Sequence, residues 1–148
     1  MRVQIIVDST ADLMPEVKER LKIVPLTVHF GEEEYVDGVT IDHRQFYEKL
    51  VESDVMPSTS QAAPAAFEAV YREVVSSGDT AVVLTVASKL SGTWQSAMIA
   101  AEEYGGKVFV VDTGTVAIAS GILAELALQL VDEVLSALEI AKRMEEEL

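Results

Sequence analysis

Three short apolar runs constrain this chain more than any other feature. Gln4 to Val7, Ala81 to Val86 and Lys107 to Val111 are each almost unbroken in apolar character, and each leads into a segment with small hydroxyl residues. A strand with one wet face alternates apolar and polar residues; a run apolar at every position is buried on both faces, as in a parallel sheet covered by helices. The intervening segments fit that arrangement. Helices are expected from about Ala11 to Leu21, from His43 to about Glu52 behind an Asp42 cap, from Pro64 to Ser76, and from about Thr93 to Tyr104 before Gly105-Gly106. A strand is expected over Val24 to Phe30, turning at Gly31 into a hairpin with Glu34-Tyr35-Val36, and Met56 to Gln61 reads as a polar loop. The predicted architecture is an α/β fold, a three-layer α/β/α sandwich with a mainly parallel sheet.

At 148 residues and 49% hydrophobic content the chain is one domain, able to bury about 70% of its unfolded surface. That apolar content excludes a disordered chain. The absence of cysteine excludes disulfides, thiolate metal sites and cysteine nucleophiles. A net charge of −14 argues against nucleic acid as a partner, since no basic footprint is available for phosphates. Val116 to Val131 is nearly all apolar or small, but it is shorter than the roughly 18–20 residues of a membrane span and contains Glu125 and Gln129. Met1 to Gln4 lead straight into the first strand, so no signal peptide and a cytoplasmic location are expected. The C-terminal stretch is ambiguous. An apolar stripe at helical spacing runs through Leu126, Leu130, Val134, Leu138 and Ala141 with no glycine or proline after Gly121. Either Ser136 caps a second helix after a tight break, the slightly favoured reading, or one long helix projects and needs a partner.

In an open parallel sheet ligands bind beyond the carboxyl ends of the strands. Asp8-Ser9-Thr10, Ser88 to Thr93 and Asp112 to Thr115 occupy such ends, and Ser58-Thr59-Ser60 precedes a helix N-terminus. Each cluster alone is ordinary capping chemistry. Four together suggest a site for an anion of low charge, held by hydroxyls and helix N-termini, because Lys89 is the only basic residue among them. No phosphate-binding glycine motif is present, which disfavours nucleotides. No metal cluster and no cofactor is expected. An enzyme reading, a small hydrolase or phosphatase-like domain using Ser91 or Asp8 as nucleophile, lacks a G-x-S-x-G turn and a second acid at the right spacing. The two histidines, His29 and His43, read as surface residues away from the strand ends.

Five ordered segments carry a resemblance. Val7-Asp8-Ser9-Thr10-Ala11-Asp12-Leu13, the Pro25-Leu26 to Gly38 hairpin, Thr59-Ser60-Gln61, Leu90-Ser91-Gly92-Thr93-Trp94-Gln95-Ser96-Ala97 and Val111-Asp112-Thr113 together resemble the amino-terminal domain of the DegV family. The resemblance implies binding of one long-chain fatty acid. Its carboxylate would be held by Thr59, Ser60, Ser91, Gly92 and Thr93, with Asp8 and Ser9 as secondary candidates. It also implies a tail lying in a tunnel between two lobes, a lipid-binding role without catalysis, and presentation of the carboxylate to a fatty acid kinase catalytic subunit. Family members run to nearly twice this length, so the resemblance implies that the carboxyl-terminal lobe is absent. Gln61-Ala62-Ala63-Pro64 replaces the usual Q-P-S/T-P. Val134 stands where the family usually has a helix-ending glycine, and Leu138 where an acidic residue is normal; both extend the apolar stripe. The resulting expectation is an isolated or engineered lobe, self-associating through its C-terminal helix or inactive alone.

Overall fold

The computed structural model describes residues 2–148 apart from Gly38, Ser53, Val55 and Ala117, with backbone only for His43 and Ile118. Strands β1 (Val3–Asp8), β2 (Leu21–Val24), β6 (Thr80–Thr85) and β7 (Val108–Asp112) form a parallel sheet in the order β2-β1-β6-β7. The pleat divides their side chains between two layers. Ile5, Val7, Val82 and Leu84 face helices α5 (Ile118–Asp132) and α6 (Ala137–Glu146), where Ala124, Leu128, Ile140 and Met144 meet them. Ile6, Ala81 and Val83 face α3 (Pro64–Ser76) and α4 (Thr93–Ala101), against Phe67, Tyr71 and Ala97. All six residues of β6 are buried, the burial that its unbroken apolar run predicts. Among the described residues no helix is long and apolar enough to cross a membrane.

A second sheet departs from the expected topology. The run from Val24 to Phe30 is two strands. β2 ends at Val24, and Pro25, which has no N–H to donate to a ladder, lets the chain leave the parallel sheet. Strand β3 (Thr27–Phe30) then pairs antiparallel with β4 (Glu33–Val36) across the Gly31 turn, where φ is 64°. Its other edge takes β5 (Ser58–Ser60), in the segment expected to be loop. Val28 and Phe30 pack with Ile41 and Phe46 of α2 (His43–Glu52). The cap of α2 is reciprocal: Asp42 Oδ1 accepts from Gln45 N at 2.8 Å, and Gln45 Oε1 accepts from Asp42 N at 3.0 Å.

The first helix is also shorter than expected. α1 is only Pro15–Lys18, because proline belongs in a first turn and holds the preceding Met14 extended (φ −68°, ψ 147°).

The C-terminal stretch breaks into two helices. Ser136 is the cap of α6, its Oγ accepting from Glu139 N at 3.2 Å. Val134 is in the left-handed region at φ 62° and is 90% exposed, so it does not extend the apolar stripe. Leu130, Ala137, Ile140, Ala141 and Met144 are buried within the chain, while Leu138 is turned half outward. The projecting apolar helix on which self-association was expected to rest is therefore folded back onto the sheet. A β-branched residue is poorly suited to positive φ. Val134→Gly is expected to raise stability by about 1 kcal/mol and Tm by roughly 3 °C, the relief of strain outweighing the extra chain entropy of glycine. Urea unfolding checks it, and an unchanged or lower midpoint would refute the strain.

Candidate functional site

The carboxyl ends of β1 and β6 meet the start of α4 and the strand β5 around a cavity of about 340 Å³. Its polar lining is Thr10, Thr59, Gln61, Ser91 and Gly92, and its apolar rim is Leu26, Val86, Leu90 and Val116. Leu90 is 66% and Val116 44% exposed, so large apolar side chains stand at the mouth.

Each predicted residue can be placed against that cavity. Ser91 and Gly92 line it directly. Ser91 Oγ accepts from Thr93 N at 3.2 Å, satisfying one of the first-turn amides that have no partner inside the helix. Thr93 is fully buried behind Ser91, its Oγ1 2.9 Å from Ser91 Oγ, so it orients that hydroxyl instead of lining the space. Thr59 and Ser60 were expected to act as a hydroxyl pair. As neighbours on a strand they point to opposite faces. Thr59 lines the cavity, whereas Ser60 Oγ lies 2.5 Å from His29 Nε2 on the outer face. The same alternation brings Gln61 to Thr59's side. Gln61 belongs to the Thr59-Ser60-Gln61 motif but not to the predicted carboxylate site, and the two-residue alternation of a strand over Ser58 to Gln61 is the signal that places it there. Gln61 Nε2 donates to Ser96 Oγ at 3.4 Å, and its Oε1 crowds Gly92 so closely that a Cβ there would sit 1.8 Å away.

Asp8 is a tie holding the strand ends. It is 2% exposed. One carboxylate oxygen accepts from Thr10 N at 2.9 Å and from the Thr10 hydroxyl, and the other accepts from Val86 N at 2.5 Å. This binds the β1 loop to the end of β6 and sets Thr10 at the cavity wall. Ser9 Oγ accepts from Leu26 N at 2.9 Å and faces a neighbouring cavity of about 690 Å³, which also includes Asp12. The fourth hydroxyl cluster, Asp112 to Thr115, does not line this cavity. Thr113 Oγ1 donates to Thr85 O at 2.7 Å, Thr115 Oγ1 lies 3.1 Å from Ser120 Oγ, and Asp112 Oδ1 accepts from Ser88 N at 3.0 Å and Gly114 N at 3.1 Å. Desolvation acts to raise the Asp112 pKa, but the Ser88 and Gly114 hydrogen bonds and the Lys89 charge outweigh it and hold the carboxyl below its ordinary range.

The cavity thus offers neutral hydrogen-bond donors and a helix N-terminus beneath an apolar rim, with no cation in its lining. That chemistry suits a singly charged anion carrying an apolar group. For nucleophilic catalysis the geometry is poor. Ser91 is hydrogen-bonded to Thr93, and His29 lies against Ser60. Among the described residues no three His, Cys, Asp or Glu side chains are grouped to hold a metal ion.

Comparison with known proteins identifies the family of the chain. The DegV family, described as "Uncharacterised protein, DegV family", matches residues 2–147. A DegV domain-containing protein of Deinococcus radiodurans is 41% identical over 133 residues, which is 88% of this chain and 47% of that protein. A solved structure described as fatty acid binding of a DegV family protein from Thermus thermophilus superposes with a TM-score of 0.88 at 34% identity, over 99% of this chain and 53% of that one. A stearic acid-binding protein from Eubacterium ventriosum gives 0.86 at 28% identity, over 98% of this chain and 52% of that one. The chain spans about half the length of these relatives. With the parallel sheet, the ordered motifs and a match over residues 2–147 all in agreement, the chain belongs to the DegV family.

Proposed function

We propose that residues 1–148 are one DegV-type amino-terminal domain whose role is to hold the carboxylate of a long-chain fatty acid. The observation that carries this reading is the meeting of neutral donors and an apolar rim in one cavity. Thr59, Gln61 and Ser91 supply side-chain donors, Gly92 lets its backbone approach the anion, and Thr10 completes the wall. Ser60 and Thr93 support from behind. Asp8 and Ser9 act by shaping the β1 loop. A neutral cradle favours a carboxylate over a phosphate, whose second charge would find no cation. The domain does no chemistry of its own. It presents the bound carboxylate at an open mouth to a cytoplasmic fatty acid kinase, and the same openness leaves much of the tail uncovered.

The test uses the chain as it stands. A tail of about 16 carbons left in water forfeits roughly 0.8 kcal/mol per CH₂ that burial would supply, so the purified chain is expected to carry no retained lipid in native mass spectrometry. Titration with octanoate followed by amide NMR should still move the signals of Thr59, Gln61, Ser91 and Gly92. Thr59→Val should weaken that binding about fivefold, the worth of one hydrogen bond. Shifts confined to the Asp112 to Thr115 loop, or none at millimolar octanoate, would refute the assignment.

A further inference from the structure

Strand β5 has an unsolved problem of register. Its three residues, Ser58-Thr59-Ser60, are all polar and all exposed. A strand with one apolar face is locked in place, because a slip of one residue would turn that face to water. Ser-Thr-Ser has no such face, so hydrophobicity does not determine which residue points inward. Yet the pairing is specific: Val28 stands opposite Thr59, Thr27 opposite Ser60 and His29 opposite Ser58. In this register Thr59 lines the cavity.

We propose that His29 is a positioning residue that sets the register of β5 and so aims Thr59 into the site, an inference that rests on the carboxylate-binding reading for its functional consequence but not for its structural one. His29 lies on the outward face of β3, while Val28 and Phe30 on either side point into the small core and are buried. Its Nε2 lies 2.5 Å from Ser60 Oγ, diagonally across the strand pair. Its Nδ1 lies 3.7 Å from Glu34 Oε1, and Glu34 stands directly opposite on β4. The ring is thus set between a carboxylate on one neighbouring strand and the hydroxyl on the other. A slip of one residue would carry the Ser60 hydroxyl to the opposite face, bring Thr59 or Gln61 to the ring in its place and draw Gln61 away from Ser96, so the His29–Ser60 and Gln61–Ser96 contacts are made together in the observed register. Gln61, hydrogen-bonded to Ser96, holds the following residue against α4. One contact selects the face of the strand and the other anchors its end.

The register can be read without any ligand, from cross-strand NMR contacts in the chain. The wild type should show Val28 against Thr59. His29→Leu and Ser60→Ala should each populate a second register with Val28 against Ser58 or Ser60, and each should weaken octanoate binding about five- to tenfold. The double variant should bind no worse than either single one, since both remove the same contact. His29→Gln, whose amide can still reach the Ser60 hydroxyl, should keep the wild-type register. A persistent Val28–Thr59 contact in His29→Leu with unchanged affinity would overturn the inference, as would losses that simply add in the double variant. If the register shifts as described while Thr59→Val leaves octanoate binding intact, the carboxylate assignment fails and the role of His29 in setting register stands.

Discussion

Asp8→Ala lowers the stability of the chain by about 3 kcal/mol, a fall in Tm of roughly 10 °C. The side chain is small and its packing loss is minor, so the effect comes from the donors left behind. Val86 N–H, the Thr10 N–H and the Thr10 hydroxyl all lose their acceptor. A buried donor without a partner costs about 1–3 kcal/mol, and Val86, at 3% exposure, has little access to water. Thr10 can rehydrate in part. Relief from burying a carboxylate offsets some of the loss, which keeps the total near the top of the range for a single donor and well below the sum for three. Asp8→Asn keeps the volume but turns one N–H donor toward another, so about 2 kcal/mol is expected for it. Urea unfolding should show the lower midpoint with an unchanged slope. A midpoint for Asp8→Ala within 1 kcal/mol of wild type would mean that the carboxylate is not the tie described. Because Thr10 is held through Asp8, the same variant should also lose octanoate-induced shifts at Thr10 before it unfolds.

The legible part of the fold is the part where one physical demand dominates. β1, β6 and β7 announce themselves because double burial tolerates few polar residues, and α3 begins at Pro64 because proline suits a first helical turn. The second sheet is hidden for the opposite reason. β5 pairs through backbone and through one His29–Ser60 contact, so its side chains carry no alternation to read. The C-terminal break was half visible: Ser136 is a normal cap, but Val134 occupies the left-handed position that a glycine would have signalled. The site follows the same division. Ser91 and Gly92 were legible as a helix entrance, and the motif resemblance brought in Thr59. Neither spacing nor resemblance shows that Ser60 turns away, that Thr93 is buried, or that the Asp112 to Thr115 hydroxyls satisfy one another. Those outcomes depend on which atoms meet across strands far apart in sequence.

Gly121→Ala reverses the usual rule for helices. Alanine in place of glycine inside a helix ordinarily stabilises by about 1 kcal/mol, through better propensity and a less free unfolded chain. Gly121 lies in the first turn of α5, where a Cβ would sit 2.0 Å from the Asp12 carbonyl oxygen and 3.1 Å from its carbon. The obstacle is backbone, and that backbone is the loop whose start is fixed by Asp8 and whose end leads to Pro15. Neither side can yield by a rotamer change, so α5 must move off the loop or the loop must move off the sheet. Overpacking of this kind costs roughly 1–3 kcal/mol or more, and the outcome expected is a net loss of about 2 kcal/mol. The neighbouring Ile122 provides the control. It is 61% exposed, so Ile122→Ala should change stability by less than about 0.5 kcal/mol. Unfolding midpoints for the two variants decide the matter. If Gly121→Ala matches or exceeds wild type, α5 does not approach the Asp12 backbone closely, and the wall of the larger neighbouring cavity, which includes Ala11, Asp12 and Leu13, is built differently. A loss confined to Gly121→Ala, with slower exchange retained in β6 but not in α5, would show that the helix gives way and the sheet does not.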